Sequence, residues 1–162
     1  MIISNATPLI NFGKQGRLDI LKRCFDKIFI PKSVYEEILM IEDNIESIAL
    51  KQGMKENWII VKDTEINSLL KTKVLGRGEK EAISLAFKNK ALLLIDDDTA
   101  KAYAGLLKVE THGSAYVLFL ACKKRIINKD EAKNIFEGMI KEGFYVSIEF
   151  YSLFLELLGK IE

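Results

Sequence analysis

The stretch Ala91-Leu-Leu-Leu-Ile-Asp-Asp-Asp98 decides the predicted fold of this 162-residue chain. Its first five residues are apolar without interruption, which is typical of a short central strand that is covered on both faces. Three consecutive carboxylates then end the strand abruptly. A strand of this kind needs a layer of helices on each side of its sheet, and the acidic residues mark its carboxyl end.

Short strands alternate with helical segments along the rest of the chain. Strands are predicted at residues 2–4, 27–30, 58–61, 91–95 and around Val109. Helices are predicted at residues 18–24, 33–41, 42–52, 64–71, 79–88, 99–106, 114–123, 130–142 and 147–158, and Pro8 suits the first turn of a further helix, with Thr7 as its N-cap. The alternation predicts an α/β fold, a three-layer α/β/α sandwich with a mostly parallel sheet. We expect a single domain over residues 1–162, with the helices from about residue 114 packed as part of it.

The composition excludes several classes of protein. Lys and Arg (24) nearly balance Asp and Glu (23), so the net charge of +1 does not indicate a strongly basic nucleic-acid-binding protein. Two distant cysteines without a CxxC motif, and a single histidine, argue against a structural zinc site. No apolar run reaches the roughly 18 residues of a membrane span, and the first residues do not resemble a signal peptide. The expected location is therefore the cytoplasm.

Polar residues follow two of the predicted strands. In parallel sheets, ligands gather at the carboxyl ends of strands, which here carry Asn5 and the run from Asp96 to Asp98. Adjacent carboxylates repel one another unless a cation neutralises them, and all-oxygen ligands suit Mg²⁺ or Mn²⁺. The alternative is that Asp98 caps the helix that begins at Thr99, while the other two carboxylates point to solvent.

Helical phase singles out two glutamates. Glu37 lies at the edge of the apolar face of its helix, whereas Glu36 faces solvent. Glu79 lies inside the apolar sector of the next acidic helix, and Glu81 lies at the border of that sector. A favourable interaction with the helix dipole is the alternative explanation for a carboxylate at a helix start.

Five segments, in this order, resemble the PIN-domain proteins. They are Ile-Ile-Ser-Asn-Ala-Thr-Pro-Leu-Ile (2–10), Gly-Arg-Leu-Asp-Ile-Leu (16–21), Ile-Pro-Lys-Ser-Val-Tyr-Glu-Glu (30–37), Gly-Glu-Lys-Glu-Ala-Ile-Ser-Leu-Ala (78–86) and Leu-Leu-Ile-Asp-Asp-Asp (93–98). The resemblance is to the branch known as DUF3368, a relative of VapC toxins. It continues through His-Gly-Ser (112–114) and the last helices, so it covers essentially the whole chain.

The resemblance implies a metal-dependent ribonuclease whose acidic cluster binds one or two Mg²⁺ or Mn²⁺ ions. Carried over residue by residue, the metal ligands fall on Asn5, Glu37, Glu79, Asp96 and Asp97, of which the four acidic residues would be catalytic. Glu81 and Asp98 are weaker alternatives. The family pattern has an aspartate where Asn5 stands, and the neutral amide should weaken cation binding.

The expected activity is phosphodiester hydrolysis of RNA, most simply single-stranded RNA. Relatives imply two protein partners, a small antitoxin and a second copy of the chain in a homodimer. Ser4, Thr7 and Ser114 could contact phosphate or a ligand water, although hydroxyls near helix starts more often act as caps. A catalytically weak or inactive PIN-fold protein that binds RNA or a partner is the alternative, and Asn5 is its main support.

Overall fold

Five parallel strands form the central sheet of the computed structural model, which describes residues 1–40 and 44–162. The strands are β1 (Ile2–Ser4), β2 (Ile28–Pro31), β3 (Ile59–Lys62), β4 (Leu92–Leu94) and β5 (Thr111–His112). Their order in the sheet is β3-β2-β1-β4-β5, and every neighbouring pair is parallel. The first strand of the chain therefore lies in the centre of the sheet, with β2 on one side and β4 on the other.

Helices connect the strands and cover the sheet. Within the described residues they are α1 (Ala6–Lys14), α2 (Leu18–Phe25), α3 (Lys32–Leu39), α4 (Ile45–Lys55), α5 (Arg77–Asn89), α6 (Asp98–Leu106), α7 (Ser114–Lys123), α8 (Lys129–Lys141) and α9 (Ile148–Gly159). None of these helices is both long enough and apolar enough to cross a membrane. The parallel sheet between helical layers confirms the predicted three-layer α/β/α sandwich.

The apolar strand β4 separates two hydrophobic cores. Leu94 belongs to a cluster with Phe12 and Leu118, whereas Leu93 and Ile95 belong to a second cluster on the other face. Alternate residues of a strand point to opposite faces, so an uninterrupted apolar run supplies both cores at once. This is the physical reason for the sequence of residues 91–95.

The helix predicted at residues 64–71 is wrong. Only Ser68–Leu70 forms a short 3₁₀ turn, and the Asn67 side chain accepts a hydrogen bond from Leu69 N (2.9 Å). Leu70 is the only residue of this segment that is buried, so the segment has no apolar face to stabilise a longer helix.

Several predicted element ends also differ. The strand expected around Val109 lies at Thr111–His112, because Lys108 adopts a positive φ (56°) and Val109 N closes the end of α6 on Ala104 O. Thr7 is not an N-cap, since α1 already begins at Ala6. The predicted end at residue 41 and the predicted start at residue 42 of the next helix lie outside the described residues.

The last two helices enclose an aromatic core. Phe136 of α8 is fully buried and stacks on Phe154 of α9, with ring centroids 4.0 Å apart. Phe144, in the loop between the helices, contacts the same ring edge-on at 6.2 Å. The packing anchors both ends of the loop over residues 142–147, which crosses the sheet edge at which the strands end in acidic residues.

Candidate functional site

The carboxyl ends of β1 and β4 meet at one edge of the sheet. Ser4 pairs with Leu94, and Asn5 N donates a hydrogen bond to Leu94 O (2.9 Å). Asn5 directly follows β1, and Asp96 comes two residues after the end of β4. The two polar positions that the sequence predicts for a ligand site therefore lie on neighbouring strands.

Asn5 carries a buried oxygen without a hydrogen-bond partner. The residue is 5% exposed, and within the described part of the chain its Oδ1 accepts no hydrogen bond. A Cβ atom on Gly78 would stand 3.7 Å from this Oδ1 and 2.9 Å from Glu37 Oε2. Because Gly78 has no side chain, the amide oxygen and the carboxylate border the same small space.

Glu79 lies near enough to Glu37 for the two negative charges to repel each other. Glu37, like Glu36, is an exposed residue of α3, but its carboxyl end is partly desolvated where it faces Gly78, which raises its pKa, and the negative charge of Glu79 raises the pKa further. Glu79 lies in the first turn of α5, where its Oε2 accepts a hydrogen bond from Gly76 N (2.9 Å). Asn5, Glu37 and Glu79 are named the Asn5 group below.

Asp96 is hydrogen-bonded to residues of two helices. Its Oδ1 accepts from Ser114 N (2.7 Å), and its Oδ2 accepts from Ser114 Oγ (2.7 Å) and Asn11 Nδ2 (3.3 Å). Burial raises the pKa of this carboxyl, while the hydrogen bonds and nearby Lys101 act in the opposite direction. A carboxylate offers about four acceptor positions, and three are used here. Asp96 therefore joins the end of β4 to α1 and α7.

Asp97, not Asp98, caps α6. Asp97 Oδ1 accepts a hydrogen bond from Ala100 N (2.7 Å), and the helix begins at Asp98. The predicted cap at Asp98 is wrong, because the helix starts one residue earlier than Thr99. The side chain of Asp98 is fully exposed and lies 3.6 Å from Lys101 Nζ. Asp97 is also exposed, so its second oxygen faces solvent.

Glu81, rather than Glu79, is the most buried carboxylate of α5. It is 5% exposed, its Oε2 accepts from Ser33 N (3.2 Å) and Ser33 Oγ (2.5 Å), and its Oε1 accepts from Arg77 Nε (2.7 Å). Burial would raise its pKa, but these hydrogen bonds and the positive charge of Arg77 outweigh burial and lower it. Oε2 holds α5 against α3 through Ser33, and Oε1 is paired within α5 with Arg77.

The phase argument ranked Glu79 above Glu81 because it assumed one narrow apolar face. In the structure every residue from 81 to 86 is buried, since α5 packs against the sheet and α3 together. The apolar sector is therefore much wider than a single stripe, and Glu81 falls inside it.

The three hydroxyl residues predicted to contact substrate have different surroundings. Ser4 is fully buried, and its Oγ donates to Asn5 O (2.9 Å). Ser114 is fully buried as well, and its hydroxyl donates a hydrogen bond to Asp96. The predicted contact of these two residues with substrate is wrong, because neither hydroxyl reaches the surface. Both serine residues have a structural role instead. Thr7 is half-buried and does line a surface cleft.

Two clefts adjoin the acidic run. One, of about 420 Å³, is bordered by Thr7, Lys14 and Asp97. The other, of about 490 Å³, is bordered by Lys101 and by aromatic side chains of α7 and α9. Asp96 and Asp98 border both clefts, and so does Tyr145. The acidic residues thus form a ridge with an open groove on each side.

The predicted acidic residues form two neighbouring groups. Within residues 1–40 and 44–162, no three His, Cys, Asp or Glu side chains come close enough together to hold one ion. The Asn5 group lies at the end of β1, and the acidic run from Asp96 to Asp98 lies after β4. A ligand set for a cation would have to include an oxygen that does not belong to a carboxylate, and the amide of Asn5 supplies one.

A family model named DUF3368 and described as a PIN domain matches residues 1–160. The chain belongs to the PIN-domain family. This PIN domain is similar in structure to a PilT N-terminus domain protein from the hyperthermophilic archaeon Sulfolobus solfataricus P2 (20% identity, TM-score 0.52, 72% of this chain and 90% of that chain covered). No curated protein matches the sequence. The match confirms the predicted family and fold, and it supports a nuclease-type domain in general terms.

Sequence reasoning missed three residues that build the site of this PIN domain. Asn11 holds Asp96, and Ser33 and Arg77 hold Glu81. Asn11 follows the apolar pair Leu9-Ile10 on a helix, and a buried amide there gives no sequence signal of its partner. Arg77 and Glu81 are four residues apart, and this spacing could have predicted the ion pair if the predicted start of α5 had been two residues earlier.

The bonds to Asp96 predict a marked loss of stability when its carboxylate is removed. Asp96→Ala leaves the backbone N–H and the hydroxyl of Ser114 without their acceptor, which costs about 1–3 kcal/mol. Chemical denaturation should therefore show a lower free energy of unfolding. Asp98→Ala is the matched control, because its exposed side chain should contribute at most about 0.5 kcal/mol. Equal effects of the two substitutions would contradict a structural role for Asp96.

Proposed function

We propose that this PIN domain is a metal-dependent ribonuclease that uses Mg²⁺ or Mn²⁺ to hydrolyse phosphodiester bonds in single-stranded RNA. The observation that carries the proposal is the buried, unpartnered Oδ1 of Asn5 beside the carboxylate of Glu37. A buried polar atom without a hydrogen bond is costly, and such atoms in native proteins commonly mark the position of a ligand.

The donor set fits a magnesium-like ion. Mg²⁺ is usually held by one or two carboxylates and keeps several waters, so it does not need three acidic ligands from the protein. Glu37 and Glu79 supply two carboxylates, and Asn5 supplies the oxygen that has no other partner. A cation at this position would offset the desolvation and the repulsion from Glu79 that together raise the pKa of Glu37. We assign the Asn5 group as its ligands.

A bound Mg²⁺ or Mn²⁺ would polarise a phosphate oxygen and make the attacking water more acidic. The residues of the chain position the water and the phosphate. Asp97 keeps one carboxylate oxygen free of the α6 cap, and we assign to it the hydrogen bond that orients the attacking water. Lys14, on the wall of the same cleft, provides a positive charge for the phosphate. Asp96 keeps this edge of the sheet rigid.

A binding protein without nuclease activity is the second candidate function. Asn5 is neutral, and the described residues hold no group of three acidic side chains. Both observations reduce the charge that attracts a divalent ion. This candidate shares the fold and the RNA ligand with the first, and it differs in predicting that metal has no effect on RNA integrity.

The proposed biological setting is that of a toxin controlled by a small antitoxin protein, in which two copies of the chain form a homodimer. The family relationship is its only support. The setting is tested by whether the adjacent gene encodes a small protein that copurifies with the chain. If no such protein exists, the ribonuclease proposal is unaffected and the toxin setting is withdrawn.

The first activity prediction concerns metal and Asp97. We expect cleavage of single-stranded RNA in Mg²⁺ or Mn²⁺ and none in EDTA, followed by gel electrophoresis of labelled RNA. Asp97→Asn should reduce the rate by at least about 100-fold, in the range typical for a group that assists proton transfer. The melting temperature should stay unchanged, because asparagine is an equally good N-cap. Glu36→Gln is the control, since Glu36 is exposed on α3 and should affect neither quantity. Equal cleavage with and without EDTA would contradict the metal mechanism.

A second prediction tests Asn5 directly. Two unit charges 4 Å apart interact by about 4 kcal/mol at an effective dielectric constant of 20. Since each 1.4 kcal/mol is about tenfold in affinity, Asn5→Asp should tighten Mn²⁺ binding by one or more orders of magnitude in calorimetry. Without metal, the substitution should lower the melting temperature, because it adds a third negative charge beside Glu37 and Glu79. Asn134→Asp, on the exposed face of α8, adds the same charge elsewhere. Unchanged Mn²⁺ affinity in a folded Asn5→Asp protein would remove Asn5 from the site.

A further inference from the structure

Tyr145 is the most exposed large hydrophobic side chain in the described part of the chain, at 89%. It lies on the ridge where both clefts meet and borders each of them together with Asp96 and Asp98. Ile148 (82%) and Phe150 (45%) are exposed close by in sequence. Single exposed apolar residues are common, but a group of them beside the acidic residues indicates a binding surface.

The loop that carries Tyr145 is held in place on both sides. Gly143 adopts a φ of +102°, which lets the chain turn sharply at the end of α8, and Phe144 N bonds to Met139 O (3.0 Å). The ring of Phe144 packs on buried Phe136. Beyond Tyr145, Ser147 caps α9 by accepting a hydrogen bond from Phe150 N (3.1 Å). The ring of Tyr145 is therefore presented from an anchored backbone, which lowers the entropic cost of binding.

The groove leading away from the acidic ridge is lined by aromatic rings and by a few lysines. Tyr116 and Phe119 of α7 border the cleft that contains Lys101. The same two rings border a further cavity of about 590 Å³, whose wall contains Lys123. The ring of Tyr116 stacks on the imidazole of His112, with centroids 3.7 Å apart and 14° between the planes, so its orientation is fixed.

Aromatic faces interleaved with cations suit a chain of phosphates that carries flat bases. Unpaired bases stack on aromatic side chains regardless of their sequence, and lysines follow the backbone charge. A protein partner docked on apolar contacts would gain less from lysines spaced along the groove. Lys101 is paired with Asp98 (3.6 Å), but away from the ridge the groove is bordered by two lysines, Lys123 and Lys160, and by one acidic residue, Glu162. This excess of positive charge beside the aromatic rings favours single-stranded nucleic acid as the occupant.

We propose that Tyr145 is a base-stacking residue for single-stranded RNA, placing one unpaired nucleotide beside the acidic ridge, and that the groove along α7 takes the nucleotides that follow. The inference rests on the proposed function, because it takes RNA as the substrate. It assigns a binding role to the loop between α8 and α9, which the ribonuclease proposal does not require. Double-stranded RNA, whose bases are stacked on one another, cannot use this site.

The test measures RNA binding in EDTA, so that it does not depend on cleavage. The full-length protein is titrated into a short fluorescein-labelled single-stranded RNA of mixed sequence, and Kd is obtained from fluorescence anisotropy. Tyr145→Ala should weaken binding by roughly 5- to 100-fold, the effect of losing one base–aromatic stack. Tyr145→Phe keeps the ring and should bind like the wild type. Phe87→Ala removes another exposed ring (46%) near the opposite edge of the sheet and should also bind like the wild type.

A second readout separates stacking from a general change in affinity. An RNA that contains 2-aminopurine loses fluorescence when that base stacks on a ring. The wild type and Tyr145→Phe should quench it more strongly than Tyr145→Ala, in which only the rings of α7 remain. Equal quenching by the wild type and Tyr145→Ala, or an unchanged Kd, would overturn the base-stacking role whether or not the protein cleaves RNA. If Tyr145 controls RNA binding in EDTA but no metal supports cleavage, the stacking site stands and the ribonuclease proposal fails.

The outcome for a protein occupant is also distinct. If the wild type binds no single-stranded RNA and Tyr145→Ala instead lowers the apparent mass in size-exclusion chromatography, the surface joins copies of the chain. That result would overturn the base-stacking proposal. Melting temperatures of the Tyr145 variants should match the wild type, because the side chain is almost fully exposed and removing it creates no cavity.

Discussion

The pairing of β1 with β4 is the constraint on which the rest of the structure depends. It runs in parallel from Ile2 beside Leu92 to Ser4 beside Leu94, and it ends with the bond from Asn5 N to Leu94 O. Every polar residue discussed above is placed relative to this pair of strand ends. A shift of one residue in register would turn the apolar residues of β4 to the wrong cores and separate Asn5 from the acidic run.

Much of the fold could be predicted because its signals are local. The uninterrupted apolar run of β4, the alternation of strands and helices, and the position of Pro8 in the first turn of α1 all depend on neighbouring residues. The family resemblance then agreed with the order of these elements. The false helix at residues 64–71 shows the limit of local signals. Its propensity was adequate, but the core accepts only Leu70 from that segment.

The candidate site was predictable in its residue types and less so in their roles. Asp96 and Asp97 are adjacent in sequence, yet one is bound by three donors and the other caps a helix. Those partners come from α1, α6 and α7, and one sequence does not reveal which distant donor a carboxylate will meet. The order of burial predicted for Glu79 and Glu81 was reversed for the same reason. The breadth of the buried face of α5 is set by the tertiary packing of α3 and the sheet.

The central position of β1 has a consequence for biosynthesis. β1 leaves the ribosome well before its neighbour β4, which is synthesised only after β2, β3 and five intervening helices. Until then, one side of β1 is an open edge, and Asn5 has no strand end beside it. Contacts between segments so distant in sequence form slowly compared with local ones. A nascent chain of this protein therefore carries an incomplete cleft until the acidic run has been translated and β4 has paired with β1.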